Sequence, residues 1–400
     1  MVAHGAPGRA TGRARPPFAL RAGGQPCSNR AQSEPQGGTQ MRAAVLRQTG
    51  DDKVAVLDNM QLEDIGPGMI RVAIHATGVC HSDLSVMNGT IPQPAPCVLG
   101  HEGAGEVVEV GPGVSDLAVG DHVIVVWVPP CGKCTFCLTG QANLCPNVVF
   151  SAAGGSPHFR LDGEPVFGMA GTGTFAEELL LPEQAAVKIG PDVPWDIASL
   201  IGCGVTTGVG AAINAAKVTP GASVVVYGCG GVGVSVIQGA RLAGAAEIVA
   251  VDLVKDKRED AKRFGATHAV HPDDVLAASN EITSGAGFDF GFEVIGLPTT
   301  IRATYDVIRR GGTATIVGVG RMDQTVEFNA FEFFYNEKIL RGSIYGTCDV
   351  RAEFPRLLRL WKAGRLDLEG MITKRGRLDD INTAFDDMKA GRVIRTVLEL

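Results

Sequence analysis

Long apolar runs are missing from this 400-residue chain, and no stretch reaches the ~18–20 residues a membrane span needs. Positive charge is also short. With 36 Lys and Arg against 43 Asp and Glu the net charge is −7, so nucleic acid and anionic membrane find no complementary face. No internal repeat and no secretory h-region is evident. What remains is 45% hydrophobic and 20% charged, the balance of a folded, water-soluble protein large enough for two domains. Residues 1–40 stand apart, with five arginines, one acid and many Gly and Pro. They cannot bury enough surface to offset their ordering entropy, and Pro and Gly argue against the amphipathic helix of an organelle transit peptide. A disordered N-terminal extension is expected there, with the folded pattern beginning at Met41.

Ten cysteines without a secretory signal point to a reducing, cytoplasmic compartment, where close cysteines hold metals more often than they form disulfides. In "CGKCTFCLTGQANLC", Cys131, Cys134, Cys137 and Cys145 are separated by two, two and seven residues. Short CxxC loops turn neighbouring thiolates toward one ion, and four thiolates close a tetrahedral zinc shell. A closed shell has no position for substrate, so this site is expected to be structural. Bridging adjacent CxxC pairs as disulfides would strain them.

From Met41 to about residue 200, short Val-rich runs such as "IRVAIHATGV", "GAGEVVEVG" and "GDHVIVVWV" alternate with turn residues and read as an all-β, barrel-like domain. Near residue 203 the pattern changes. Strands "ASVVVYG", "EIVAVD", "FDFGFEVI" and "GTATIVGVG" alternate with helices, including "KDKREDAKRFG" closed by Gly265, which implies a parallel sheet with helical crossovers. A helix, "EFPRLLRLWKAG", and the segment "RVIRTVLEL" close the chain.

"VVVYGCGGVGVSVIQ" carries GxGxxG at Gly228, Gly230 and Gly233, with Gly231 and Val232 inside it. The motif alone is weak in a glycine-rich chain, but here it follows a β-branched strand and opens a helix. Such a turn presents backbone N–H groups to a pyrophosphate at the helix N-terminus. Asp252 ends the next strand, 19 residues after Gly233. A carboxylate there accepts hydrogen bonds from a ribose and repels a 2′-phosphate, favouring NAD over NADP.

Cys80 in "GVCHSDL", His101 in "GHEGAGEV" and Cys203 in "LIGCGVTTG" each have an ordinary reading alone, as small buried hydrophobes or a satisfied imidazole. Together with the four-cysteine loop and "GCGGVG", these motifs in this order resemble the zinc-dependent medium-chain dehydrogenases of the alcohol dehydrogenase type. The resemblance runs from Met41 to Leu400 and lies near the dimeric class III branch. It implies a GroES-like β-barrel catalytic domain (41–205 and 346–400) around a doubly wound Rossmann domain (206–345). It also implies two zinc ions per subunit and NAD.

Carried over residue by residue, the resemblance makes Cys80, His101 and Cys203 the catalytic zinc ligands, a set that leaves one position open for an alcohol. Asp83 would orient His101, Glu102 would lie near the metal, and Ser82 would take the alcohol proton. Three positions on, Ser85 stands where the family usually has the histidine that ends the proton relay. His81 replaces an arginine that some members set on the coenzyme pyrophosphate, and Thr207, Lys257, Val317 and Arg395 match coenzyme-contacting positions. For Lys257 and Arg395 the plain alternative is a solvated surface charge.

By the same resemblance Ile91, Trp127, Met169 and Ala170 line an apolar substrate channel, which suits hydrophobic primary alcohols or their aldehydes. The alternative substrate is an S-(hydroxymethyl)thiol, the formaldehyde adduct handled by the glutathione-dependent branch. Ile91 and Val149 occupy the positions where that branch holds the adduct's carboxylates, and neither can do so. A zinc-free quinone reductase and an inactive nucleotide-binding protein are the remaining classes, and both conflict with the full ligand set. The resemblance further implies a homodimer joined through the edge of the coenzyme sheet, with "GTATIVGVG" as that edge.

Overall fold

The computed structural model describes residues 40–147 and 155–400. The expectation for residues 1–40 falls, but for its last residue, outside them, as does Val149.

The N-terminal half is β-structure, built where β-branched and apolar residues alternate between glycine turns. Strands Met41–Leu46, Ala55–Leu62, Phe159–Leu161, Glu164–Gly168 and Cys97–Val98 close into a small barrel. Against it lies a second sheet whose spine is the 11-residue strand Met69–Val79. Its first residues alternate half-buried and buried, the period-two pattern of a strand with one face on the core. Its last four are buried throughout, because at this end the strand runs into the candidate site. Gly103–Val110 and Glu178–Pro182 pair with it antiparallel. So does Arg395–Glu399, with Thr396 opposite Val79, so the chain's end returns to this sheet.

The second architecture is a six-stranded, all-parallel sheet. Its order is His268–Val270, Glu247–Val251, Ser223–Tyr227, Phe288–Glu293, Ile308–Ile316, Ile339–Gly342. Numbered along the chain this is 3-2-1-4-5-6, the doubly wound order whose crevice opens where the winding reverses, beside Ser223–Tyr227. The fold is therefore the expected GroES-like barrel with a Rossmann sheet.

Two expectations need correcting. "GTATIVGVG" lies mostly in the strand Ile308–Ile316, which is hydrogen-bonded on both sides. The sheet edge is instead Ile339–Gly342, a four-residue strand too short for its pattern to stand out in the sequence. The second correction concerns apolar length. The helix Trp195–Ala216 is long and apolar enough to cross a membrane by length and composition, but it is mostly buried inside this fold. Its Ile201, Val205, Val209 and Ala212 pack with Val236, Ile237 and Ala240 of the helix Gly231–Leu242 in the largest core cluster. Its run is hard to see by eye because Gly and Thr interrupt it.

Candidate active site

Cys80 caps the short helix His81–Met87, and the Asp83 carboxylate reaches back to the Cys80 N–H at 2.9 Å. The other Asp83 oxygen lies 3.2 Å from His101 Nδ1 and accepts the Gly100 N–H at 3.2 Å. One fully buried carboxylate thus fixes the backbone of one candidate ligand and the ring of another. Cys203 sits in the long helix at a π-helical stretch, Ile201–Val205, flanked by Gly202 and Gly204. Such a widened turn re-aims a side chain that a regular helix would direct elsewhere.

The ligand atoms of Cys80, His101, Cys203 and Glu102 lie within 4.8 Å of one another, and all four residues are buried. His101 Nε2 is buried with no hydrogen-bond partner. With Nδ1 held by Asp83, Nε2 is the ring nitrogen left to face a cation, which is the fit that a metal requires.

The electrostatics agree with that fit. The Cys80 thiol is held well below its ordinary pKa by a hydrogen bond from Cys203, against the opposing effect of burial, with His101 and Arg395 assisting. Cys203 is pushed well up by the same contact with Cys80 and by burial. Burial draws the His101 pKa down, but the charge and hydrogen bond of Asp83, joined by Cys80, raise it to about 10. Opposed shifts on two adjacent buried thiols mark donors that a bound dication would bring to one common, deprotonated state.

Behind this cluster Glu102 accepts the Gly204 N–H at 3.2 Å and pairs with Arg395 Nη2. Arg395 is 5% exposed, so the surface-charge alternative fails for it. A side chain on Gly231 would collide with its aliphatic stem. Arg395 therefore joins the metal cluster to the glycine-rich turn. In that turn Gly228 has φ +97°, a side chain on Gly233 would strike the Gly228 carbonyl, and Gly230 faces open space. These are the places that a tight turn, close strand–helix packing and an approaching pyrophosphate need. Val232 lies half-buried in the first turn of the following helix.

The Asp252 carboxylate accepts the N–H groups of Cys229 and Val254, each at 2.9 Å, which sets it at the rim of the turn. His81 still reaches solvent, yet crowding by the protein lowers its pKa. Cys80 opposes that shift, and the nearby charges of Lys257 and Arg395 reinforce it. His81, Lys257 and Arg395 thus face one region. Thr207 lies one helical turn past Cys203 and eases the raised pKa of that thiol. Val317 follows the strand Ile308–Ile316 and donates its N–H to the Glu293 carbonyl at 2.8 Å. Ser82 Oγ is 3.8 Å from Cys80 Sγ, and Ser85 lies one helical turn further on.

Trp127, Ile91, Met169 and Ala170 share one apolar cluster, and the Trp127 ring meets His101 edge-on at 6.2 Å. Sequence reasoning missed two neighbours. Gln93 accepts the Ala170 N–H at 3.2 Å, and Arg258 donates to the Asp252 carbonyl at 2.7 Å. A polar residue two positions after Ile91 and a second base beside Lys257 were the available signals.

In the second cluster the sulfurs of Cys131, Cys134, Cys137 and Cys145 lie within 4.8 Å of one another, unbridged, with Cys134 and Cys145 3.9 Å apart. Backbone N–H groups of Lys133 and Cys134 lower the Cys131 pKa to about 6. Burial raises that of Cys137 to about 12. Four converging sulfurs fit a cation that takes the place of thiol protons.

Residues 66–191 match the family described as alcohol dehydrogenase GroES-like domain, and residues 231–363 match that described as zinc-binding dehydrogenase. An S-(hydroxymethyl)glutathione dehydrogenase of Paracoccus denitrificans is 39% identical over 89% of this chain and 99% of its own. The chain is a zinc-dependent alcohol dehydrogenase family member. An alcohol dehydrogenase class-3 of Cereibacter sphaeroides is similarly 39% identical, over 89% of this chain and 99% of its own. Among solved structures, benzyl alcohol dehydrogenase from Acinetobacter calcoaceticus superposes with a TM-score of 0.83 at 33% identity, covering 90% of this chain and 99% of that one. Membership of the zinc-dependent alcohol dehydrogenases makes this an oxidoreductase with zinc as its metal, and the two sulfur-containing clusters are the candidate seats for a catalytic and a structural ion.

Two substitutions test this geometry. Cys134→Ser opens a site whose metal binding is coupled to folding. It should lower bound zinc from two to one per chain and the melting temperature by roughly 5 °C or more, read by metal analysis and calorimetry. Asp252→Gly tests the expected ribose contact by removing a carboxylate that would repel a 2′-phosphate while leaving Arg258 in place. The NADP-to-NAD ratio of kcat/KM should rise about tenfold, the equivalent of ~1.4 kcal/mol, and an unchanged ratio contradicts the role.

Proposed function

We propose that this enzyme interconverts hydrophobic primary alcohols and aldehydes using NAD, at a zinc held by Cys80, His101 and Cys203. The observation that carries the proposal is the convergence of these three buried donors, with His101 Nε2 unpartnered and Nδ1 held by Asp83. Two thiolates and a neutral imidazole balance the charge of a dication. Zinc supplies Lewis acidity that lowers the pKa of a bound alcohol.

The remaining roles belong to the protein. Ser82 accepts the alcohol proton, and with serine rather than histidine at position 85 the relay ends on water or another base. Glu102 stands behind the ligands, neutralised by Arg395. Gly230, Gly231 and Val232 would hold the NAD pyrophosphate, with Arg395 and His81 beside them, Asp252 and Lys257 would hold its adenosine ribose, and Thr207 and Val317 its nicotinamide end. An uncharged His81 near neutral pH gives weaker coenzyme binding than an arginine would. Cys131, Cys134, Cys137 and Cys145 hold the second zinc.

Ile91, Trp127, Met169 and Ala170 form the substrate channel, and their apolar character supports hydrophobic alcohols. The name of the Acinetobacter relative, benzyl alcohol dehydrogenase, agrees with an aromatic substrate. A second reading, oxidation of S-(hydroxymethyl)glutathione, is supported by the name of the Paracoccus relative. Against it stands Ile91, which cannot bind a carboxylate.

We also propose a cytoplasmic homodimer. The nine described cysteines are all unpaired, in keeping with a reducing compartment. The edge strand Ile339–Gly342 has open backbone groups on one side, and exposed Phe331, Phe334 and Tyr335 lie on the preceding helix. A second copy would cover both.

Zinc analysis with NAD reduction over a panel of alcohols, with and without glutathione, tests the substrate assignment. The expected result is two zincs per chain and turnover of hydrophobic primary alcohols without thiol. Activity confined to the thiol–formaldehyde adduct would overturn it in favour of the second reading. Cys203→Ser should remove one zinc and lower kcat/KM roughly 10³-fold, as a loss of several kcal/mol of Lewis-acid stabilisation implies. NADH binding, followed by fluorescence, should persist.

A further inference from the structure

We infer that Tyr345 is a positioning residue for the catalytic metal, acting through the carbonyl that precedes Cys203. The inference rests on Cys80, His101 and Cys203 being the ligands of that metal.

Tyr345 opens a turn in which three successive residues, Tyr345, Gly346 and Thr347, have φ of +51°, +66° and +51°. For tyrosine and threonine this left-handed conformation crowds Cβ against the backbone carbonyl. A bulky residue persists there only where its surroundings over-determine it. Here they do. The Tyr345 ring is 1% exposed and lies 4.5 Å from the Trp127 ring and 6.4 Å from that of Phe354. A side chain at Gly346 would collide with the Thr206 carbonyl, so the turn is pressed onto the helix that carries Cys203. Asn214 donates to the Gly346 carbonyl at 3.2 Å, and Asn143, two residues before Cys145, donates to the Ile344 carbonyl at 3.3 Å.

Held this way, the Tyr345 hydroxyl donates to the Gly202 carbonyl at 2.5 Å. Gly202 lies in the π-helical stretch Ile201–Val205, where the neighbouring Ile201 carbonyl accepts the Thr206 hydroxyl at 2.6 Å. Two side-chain hydroxyls thus brace the widened turn immediately before Cys203. The Tyr345 ring also backs Trp127, whose ring meets His101 edge-on. One side chain therefore braces the segments of two of the three ligands, by a hydrogen bond to one and by ring packing toward the other. Phenylalanine would retain the volume and the ring packing and lose the oxygen's hydrogen bonds, to the Gly202 carbonyl and from the Trp127 backbone. The oxygen is what sets the position of Cys203.

Tyr345→Phe in the full-length, zinc-loaded enzyme isolates that oxygen. Zinc release to a colorimetric chelator should show one of the two ions leaving about tenfold faster than in the parent, the lower end of the range for residues that orient metal ligands. The other ion should leave at the parental rate. In cobalt-substituted protein the visible d–d bands should shift, with the melting temperature of the metal-stripped form little changed. Parental release rates together with a parental cobalt spectrum would overturn the inference. Accelerated loss of both ions with a lowered melting temperature would also overturn it, by showing a general structural role. If the parent itself holds only the four-cysteine zinc, the ligand assignment fails and this inference with it.

Discussion

The buried ion pair between Glu102 and Arg395 joins parts of the chain nearly 300 residues apart. Glu102 follows His101 and also holds the Gly204 N–H beside Cys203. Arg395 begins the closing strand of the barrel-side sheet and leans on Gly231 of the glycine-rich turn. Removing either partner would leave the other charged and dry, a loss of about 3–5 kcal/mol in comparable buried pairs. The metal cluster, the last strand and the dinucleotide turn are therefore constrained by one contact. The return of the chain's end to the N-terminal sheet gives that arginine its rigid support.

Asp83 does for the candidate ligands what Arg395 does for the glycine-rich turn and the last strand. Its two oxygens meet the Cys80 N–H, the Gly100 N–H and the His101 ring, so two loops carrying candidate ligands share one anchor. The third candidate ligand, Cys203, arrives on a helix, which cannot adjust like a loop. A π-helical stretch flanked by glycines supplies the adjustment instead.

Legibility from sequence followed locality. The GxGxxG turn, Asp252 and the four-cysteine loop depend on spacing along one short segment, and their residues converge as read. The strands Met69–Val79, Gly103–Val110 and Ser223–Tyr227 were visible because β-branched runs between glycines are a local signal. Cys80, His101 and Cys203 could be gathered only by resemblance, since nothing in their separate settings says that they meet. What escaped was set by distant partners. The burial of Arg395 depends on Glu102, the edge of the coenzyme sheet on a four-residue strand, and the seat of Tyr345 on a left-handed turn with no glycine at its first position.

The four-cysteine lobe has a consequence for how this enzyme ages in a cell. Its sulfurs are close enough that an oxidant converting two thiolates to a disulfide needs to move them only by the difference between 3.9 Å and a covalent S–S length of about 2 Å. Each such event would remove two of the four sulfurs expected to hold the second zinc. Because Asn143 ties this lobe to Ile344, the damage begins at the periphery yet lies one residue from the turn that backs the active centre. Exposure to peroxide would then be recorded first as lost zinc and loosened structure, and only afterwards as altered chemistry.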